Sequence, residues 1–310
     1  MSGFEITYHV PVMRDACLQG LNIQPDGVYV DVTFGGGGHS RAILDNLSEQ
    51  GRLFGFDQDP DALANVPDDP RFTLIPENFR FIRNFLRMHG VREVNGILAD
   101  LGVSSHQFDD GERGFSIRMD APLDMRMNPR TGVSAAEWLA SASLEELMST
   151  LRLYGEVNRP DKCAHAIVKA RENGGIRTTG QLVGAVQHLA PRGKENKYSA
   201  QVFQALRIVV NDELAALREM LEASAVLLPA GGRLVILSYH SLEDRLVKHF
   251  MRSGNFEDDI QRDFKGAPLA PMQPLNRKAI TADAEELKSN PRSRSARLRV
   301  AERTDIPLAS

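Results

Sequence analysis

The run Val28-Tyr29-Val30-Asp31-Val32-Thr33-Phe34-Gly35-Gly36-Gly37-Gly38-His39-Ser40 constrains the fold of this chain more than any other stretch. It opens as a short β-branched run, which reads as a buried strand. It then breaks into four successive glycines, and the apolar spacing of Ala42, Ile43, Leu44 and Leu47 reads as the helix that follows. Strand, glycine loop and helix begin a βαβ unit. Glycine has a physical purpose in such a loop, because a backbone without Cβ atoms turns sharply and can approach a bound ligand closely. Arg52-Leu53-Phe54-Gly55-Phe56 then reads as the next strand and Asp57 as its acidic exit, at about the spacing where a carboxylate meets a ribose diol. The loop alone suits any tight turn; loop and acid together indicate a nucleoside-containing ligand.

What is missing narrows the ligand. No Gly-x-x-x-x-Gly-Lys-Ser/Thr occurs, so a phosphate-cradling loop is unsupported. The dinucleotide pattern Gly-x-Gly-x-x-Gly also fails, since Ser40 stands where the third glycine would follow Gly35 and Gly37. A nucleoside without a diphosphate, such as S-adenosylmethionine, needs the ribose acid and the close loop but no pyrophosphate site. The pattern therefore favours a methyl donor over a nicotinamide cofactor.

Composition sets the bounds. A chain of 310 residues suits about two domains of ~150 residues. Hydrophobic residues at 42% and charged residues at 25% are ordinary for a globular protein, and no apolar run approaches the ~20 residues of a membrane span. No basic-then-apolar leader is present at the N-terminus. Cys17 and Cys163 are too few for a disulfide framework and lack metal spacing, which suits a reducing cytoplasm and no metal. The net charge of -4 argues against nucleic-acid binding through bulk charge, but Lys288, Arg292, Arg294, Arg297, Arg299 and Arg303 cluster near the C-terminus.

Taken in order, the leading segment carries His9, a packing or capping histidine by type, and a short helix over residues 14–21. Residues 71–75 read as a third strand and 81–89 as a helix. Phe79 lies just past that strand, where ligands sit in open α/β sheets; core packing and an aromatic wall for adenine fit it equally. Residues 96–102 form a fourth strand whose exit is Asp100, either a loop cap or a site residue. Because Asp31, Asp57 and Asp100 all end strands on one sheet edge, the site reading is favoured. From about residue 109 to 199 alternation stops, and Ala/Leu/Glu-rich stretches at 135–153 and 163–171 read as helices punctuated by Pro160, Gly174-Gly175, Pro191 and Gly193. Arg113, Arg118, Arg126 and Arg130, interleaved with Phe115 and methionines, suit either a solvated loop or an RNA edge.

A single long helix is expected over residues 200–228, with Phe203, Leu206, Val210, Leu217 and Leu221 buried and Gln204, Arg207 and Asn211 as a polar row. Residues 231–238 read as a fifth strand. Its exit is Tyr239-His240-Ser241-Leu242-Glu243-Asp244-Arg245, where Ser241 suits an N-cap and Glu243 and Asp244 a first helical turn. That account leaves Tyr239 and His240 unexplained, and His240 suits a titrating group or a base-binding donor. No Gly-x-Ser-x-Gly elbow supports a hydrolase triad. Residues 255–292 read as loop-rich. Alternation over 294–303 reads as an edge strand with Arg297 and Arg299 turned outward.

Asp31-x-Thr33-x-Gly35-x-Gly37-Gly38-His39-Ser40 resembles the cofactor loop of the bacterial 16S ribosomal RNA cytosine-N4 methyltransferases. So do Asp100-Leu101-Gly102-Val103-Ser104-Ser105, Arg113-Gly114-Phe115-Ser116, Pro122-Leu123-Asp124-Met125-Arg126-Met127 and Ser238-Tyr239-His240-Ser241-Leu242-Glu243-Asp244-Arg245. These motifs run in the family order over nearly the whole chain. The resemblance implies a class I methyltransferase fold, Rossmann-like with a mostly parallel sheet. Its core would comprise residues 1–108 and 200–310, and residues 109–199 would be an inserted helical domain for substrate recognition. It implies S-adenosylmethionine as cofactor, held by Gly37, Gly38, His39, Asp57, Phe79, Asp100 and Gln107. The implied partner is 16S ribosomal RNA in the small ribosomal subunit, in the cytoplasm.

On this reading Asp100 is the leading catalytic residue, as acceptor for the target amino group, and His240 the second. Arg113, Arg118, Arg126 and Arg207 are the RNA contacts. The chain departs from other base-directed methyltransferases in carrying Asp-Leu-Gly at 100–102 where Asn/Asp-Pro-Pro-aromatic is common. It departs from many family members in having Ala200-Gln201-Val202, without arginine, just before Phe203. Two rivals are an NAD-dependent oxidoreductase on a similar fold, which the missing third glycine disfavours, and a non-catalytic RNA-binding assembly factor.

Overall fold

The computed structural model describes residues 11–104, 107–108 and 111–308. His9, Ser105 and Asp109, each part of a motif or boundary named above, lie outside the described residues. The chain divides into two compact units, residues 1–102 with 216–310, and residues 103–215.

The first unit is built on one seven-stranded sheet. Its strands are β1 (Val28–Asp31), β2 (Arg52–Phe56), β3 (Phe72–Ile75), β4 (Gly96–Asp100), β5 (Arg233–Ser238), β6 (Met272–Pro274) and β7 (Arg297–Arg303), in the spatial order β3-β2-β1-β4-β5-β7-β6. β1 to β5 run parallel, and β7 runs antiparallel between β5 and β6. Val30, Leu53, Ile97, Leu98, Leu234 and Ile236 are fully buried, as expected of parallel strands covered on both faces. Helix Arg14–Leu21 buries Cys17 and Leu21, and helix Gly38–Leu44 buries Ile43 and Leu44. Strand order reverses between β1 and β4, the switch point at which open α/β sheets leave a crevice beyond their carboxyl ends. Asp31, Asp57 and Asp100 stand at the carboxyl ends of the three adjacent strands β1, β2 and β4.

Two expectations fail here. The basic tail strand is not an edge: Met272-Gln273-Pro274, inside the stretch read as loop, pairs with β7 through Met272↔Arg303 and Pro274↔Ala301. Proline suits the true edge, because it cannot donate to a further ladder. Nor are the tail arginines turned loose. Arg299 Nε and Nη2 donate to Asp244 at 2.7 and 3.2 Å, and Arg297 Nη1 donates to it at 3.1 Å. Arg303 donates to the carbonyls of Ala225 and Pro271.

The second unit contains the helices Ala135–Ser141, Leu144–Leu153, Pro160–Glu172, Thr179–Val186 and Glu195–Asn211. Leu139, Leu147, Leu151, Ile167, Leu182 and Leu206 are buried in its core. The stretch 135–153 is two helices, because Ser134 and Ser143 each form a capping box, with Glu137 and Glu146. The long helix expected over 200–228 is also two, Glu195–Asn211 and Glu213–Leu227, broken at Asp212 with φ 50 and ψ 40. Aspartate tolerates this left-handed conformation better than most residues. Asn211 Nδ2 also turns back to donate to the Met125 and Arg207 carbonyls, while Glu213 takes both donor positions of Arg207. The break lies close to where the units divide, so residues 200–215 go with the inserted helices and not with the sheet. Among the described residues no helix is long and apolar enough to cross a membrane.

Candidate active site

The site begins where β1 runs into the glycine loop. Gly35 and Gly37 adopt positive φ, 49° and 73°, conformations that L side chains resist. A Cβ on Gly37 would meet Arg41 and Phe34 at 2.9 Å, whereas one on Gly36 would meet nothing within 4 Å among the described residues. The loop is thus packed on its inner side and open at Gly36. Asp57 closes it from the next strand. Its Oδ2 accepts the Gly35 amide at 2.7 Å and its Oδ1 accepts the Asp59 amide at 2.8 Å. Burial pushes the Asp57 carboxyl up to about 6, against the pull of those two amides. Asn65 Nδ2 holds the loop from the far side by donating to the Gly35 carbonyl.

Behind the loop lies a network joining β1, β4 and β5. Buried Asp31 accepts the Ser40 hydroxyl at 2.7 Å and the Thr33 amide at 3.1 Å. Burial raises its carboxyl despite the nearby His39 and these donors. Thr33 Oγ1 in turn accepts the Asp100 amide at 2.6 Å. The Tyr239 hydroxyl donates to Asp100 Oδ1 at 2.6 Å. Burial, with Asp100 beside it, pushes that phenol far above its ordinary range, so it stays protonated and remains a donor. Parallel register explains the meeting: Asp100 pairs with Leu237, two residues before Tyr239.

His39 lies against the other oxygen, with Nε2 3.6 Å from Asp100 Oδ2, an ion-pair distance too long for a hydrogen bond. Burial lowers the imidazole, but Asp100 and then Asp31 overcome it, and the net shift is upward. Neither ring nitrogen has a hydrogen-bond partner among the described residues. Buried polar atoms are normally paired, so this ring has unmet bonding capacity at the rim of the crevice. Burial and the same two carboxylates push the Cys17 thiol well above its usual range, which removes it as a nucleophile.

Phe79 follows β3 on a short 3-10 turn and is half-buried. Asn78 Nδ2 donates to Gln58 Oε1 at 3.0 Å, which ties this exit to the residue after Asp57. The His240 side chain, by contrast, bonds within its own helix. It is the N-cap of helix Ser241–Ser253, the place expected for Ser241, and its Nδ1 accepts the Glu243 amide at 3.4 Å. Its Nε2 lies 3.0 Å from Glu243 Oε1 but out of line for a hydrogen bond. The sequence-expected residues Gly37, Gly38, His39, Asp57, Phe79 and Asp100 therefore gather at one sheet edge, while His240 is held by its own helix. Thr33, Ser40 and Tyr239 were not named as site residues, although each stands in one of the motifs quoted above.

In the second unit, Gln107 is buried in a reciprocal turn, its Oε1 accepting the Ser104 amide and its own amide donating to Ser104 Oγ. Arg113 donates to the Arg126 and Met127 carbonyls. Arg126 pairs with Asp124 through both Nε and Nη2, and Arg207 pairs with Glu213 in the same forked manner. Gln204 donates to the Tyr154 carbonyl, so the polar row of this helix fastens the unit's own loops. Arg118 is exposed.

Parallel strands reversing at β1 and β4, an antiparallel β7 beside β5, a glycine loop and a buried acid on the next strand together define a class I methyltransferase. The chain belongs to the MraW methylase family, whose model matches residues 6–304. It is 54% identical over 299 residues to a Bacteroides thetaiotaomicron protein named ribosomal RNA small subunit methyltransferase H, covering 96% of this chain and 98% of that one. A Cytophaga hutchinsonii protein of the same name is 55% identical over 298 residues, covering 96% and 99%. Among solved structures, a putative rRNA methylase from Clostridium thermocellum overlaps 94% of each chain with a TM-score of 0.44 at 13% identity. Family membership decides against the nicotinamide reading.

Proposed function

We propose that this protein transfers a methyl group from S-adenosylmethionine to the exocyclic N4 of a cytosine in small-subunit ribosomal RNA, acting in the cytoplasm. The observation that carries the reading is the juxtaposition at one sheet edge of the Asp57 carboxylate on the glycine loop and the Asp100 carboxylate on its tyrosine. The residues fit the cofactor. Asp57 keeps a lone pair on each oxygen for a ribose hydroxyl after accepting its two amides. The loop is open at Gly36, His39 has unmet polar capacity, and Phe79 offers a half-buried ring for adenine. Gln107 is the one cofactor contact implied by resemblance that belongs to the second unit.

When bound, S-adenosylmethionine supplies an electrophilic methyl group. The cytosine amino lone pair is delocalised into the ring, so the protein must hold the amino group in line with that carbon and draw density onto its nitrogen. Placement supplies most of such an effect. Asp100 Oδ2 is the acceptor we assign to one N4 hydrogen, because Oδ1 is already fixed by Tyr239. Forming the N–C bond would break the donor's S–C bond and release its thioether, and the proton then lost by the nitrogen is assigned to the same carboxylate. No strong base is needed. His240 is assigned the helix cap in place of proton transfer. A base that is stacked or paired must be splayed out to reach this edge.

The inserted helical unit, residues 109–199 by sequence, is assigned to substrate recognition. Arg118 is its best RNA contact, because Arg113, Arg126 and Arg207 each hold local structure. Labelled methyl transfer to small ribosomal subunits followed by nucleoside analysis tests the reading. An N4-methylcytidine product supports it, and RNA binding without any incorporation would instead support the silent assembly factor.

A further inference from the structure

Asp100 offers its two oxygens differently. Oδ1 takes the Tyr239 hydroxyl at 2.6 Å, while Oδ2 has His39 Nε2 at 3.6 Å, beyond hydrogen-bond reach. The oxygens of one carboxylate share a carbon, so a group donating to Oδ2 lies beside the phenol, at about the 3.5–4 Å of van der Waals contact. A planar base held there meets the Tyr239 ring.

That ring is fixed in place and partly bare. The Tyr239 amide donates to Glu243 Oε2 at 2.9 Å and the hydroxyl to Asp100, and the ring packs against the core of the sheet unit while staying half-buried. Among the described residues no aromatic side chain stacks on it. Gly102 passes beside it with φ 102°, a conformation that L side chains rarely adopt. A Cβ on Gly102 would meet Tyr239 Cδ2 at 3.7 Å and no other atom within 4 Å among the described residues. A larger side chain at this position would lie on the tyrosine; glycine leaves it clear.

Register makes Tyr239 the aromatic suited to a base on Asp100. Asp100 pairs with Leu237, so Tyr239 follows the adjacent strand, about 4.8 Å away across the sheet. Phe79 follows β3, three strand spacings or roughly 14 Å from β4, too far to cover a base held by Asp100.

We infer that the Tyr239 ring is the stacking wall for the target cytosine, so that one tyrosine orients Asp100 through its hydroxyl and holds the base through its face. The inference deepens the methyl-transfer reading and rests on it. Asp100-Leu101-Gly102 carries no aromatic of its own, and β5 supplies one from the neighbouring strand. Stacking tolerates any base, so selection of an amino group stays with Asp100 Oδ2, while the ring fixes the plane of the base.

The test compares Tyr239→Phe, which keeps the ring, with Tyr239→Leu, which removes it. Single-turnover methylation of small ribosomal subunits is followed over a range of subunit concentrations, and calorimetry measures donor affinity. At equal donor affinity, the ratio of maximum rate to half-saturating subunit concentration should be about tenfold or more lower for Leu than for Phe. A second readout is specific to stacking. In a ribosomal RNA fragment carrying fluorescent pyrrolocytosine at the methylated position, emission from the bound RNA should be lower with wild type and Tyr239→Phe than with Tyr239→Leu. Equal rate ratios for the two variants, or equal emission from all three proteins, would overturn the inference. If Tyr239→Leu loses donor affinity, Tyr239→Met, a flexible filler of the same space, takes its place on the same criteria. Wild-type protein that yields no N4-methylcytidine would defeat the functional reading itself. A wild type that methylates while Phe and Leu behave alike would defeat the stacking wall alone.

Discussion

At the scale of single residues, two carboxylates carry the account, and their environments differ. Asp57 is buried on backbone amides with its carboxyl raised to about 6. A raised acid binds its proton more tightly in the folded, donor-free protein than in the unfolded chain. Its ionisation therefore costs stability above pH 6, and that cost is relieved as the pH falls towards the ordinary value of 3.8. Donor affinity should run the other way, falling as the pH drops below 6, because the ribose diol needs the ionised acceptor. Asp57→Ala should weaken donor binding by about 1.5–3 kcal/mol and abolish this pH dependence; calorimetry at pH 7.5 and 5.5 measures both. Asp100 is held through its neighbour. Tyr239→Phe keeps the ring and removes the 2.6 Å hydrogen bond, so Asp100 loses the donor that fixes its Oδ1. The single-turnover rate should fall severalfold while donor affinity changes little. An unchanged rate would make Tyr239 a packing residue only.

At the scale of elements, the sequence announces what local pattern can encode. β1, the glycine loop and the three acids that end strands were legible because each signal spans only a few residues. β6 was not, since Met272-Gln273-Pro274 carries no alternation and exists only because β7 is there to pair with it. The helix break at Asp212 was hidden for a similar reason: apolar spacing continues through it, and the fastening of Asn211 to Met125 joins residues 86 apart in sequence. The Tyr239–Asp100 bond spans 139 positions and follows from strand order alone. One helix start was displaced by a single residue, from Ser241 to His240, because imidazole nitrogen can accept an amide as a hydroxyl does. The tail strand gives the test at this scale. Arg299→Gln should destabilise the protein by about 1–3 kcal/mol, leaving a largely buried Asp244 short of donors. Burial raises Asp244, but Arg299 and Arg297 outweigh it and its folded value lies below 3.8. The wild-type advantage should therefore hold above that pH and fade as the pH falls through the lower folded value. Denaturant melts at pH 7 and pH 3 measure it.

For the whole molecule, the sheet unit by itself forms the acids, loop and tyrosine of the proposed donor site, and the helical unit supplies a separately packed core. The fold class and the family were readable from motifs that span the chain, and so was the gathering of the glycine loop and the strand-end acids at one sheet edge. The disposition of cations was not, because whether an arginine faces RNA or a carboxylate depends on the partner the fold brings to it. The central claim is that this edge carries out methyl transfer to a cytosine amino group in small-subunit ribosomal RNA. Incubation of the protein with methyl-labelled S-adenosylmethionine and small subunits, then digestion of the RNA to nucleosides, tests it most directly. Label should appear in N4-methylcytidine with wild type, and the single-turnover rate should be at least about tenfold lower with Asp100→Asn. Label on a ring carbon or a ribose, or an undiminished rate in the variant, would contradict it.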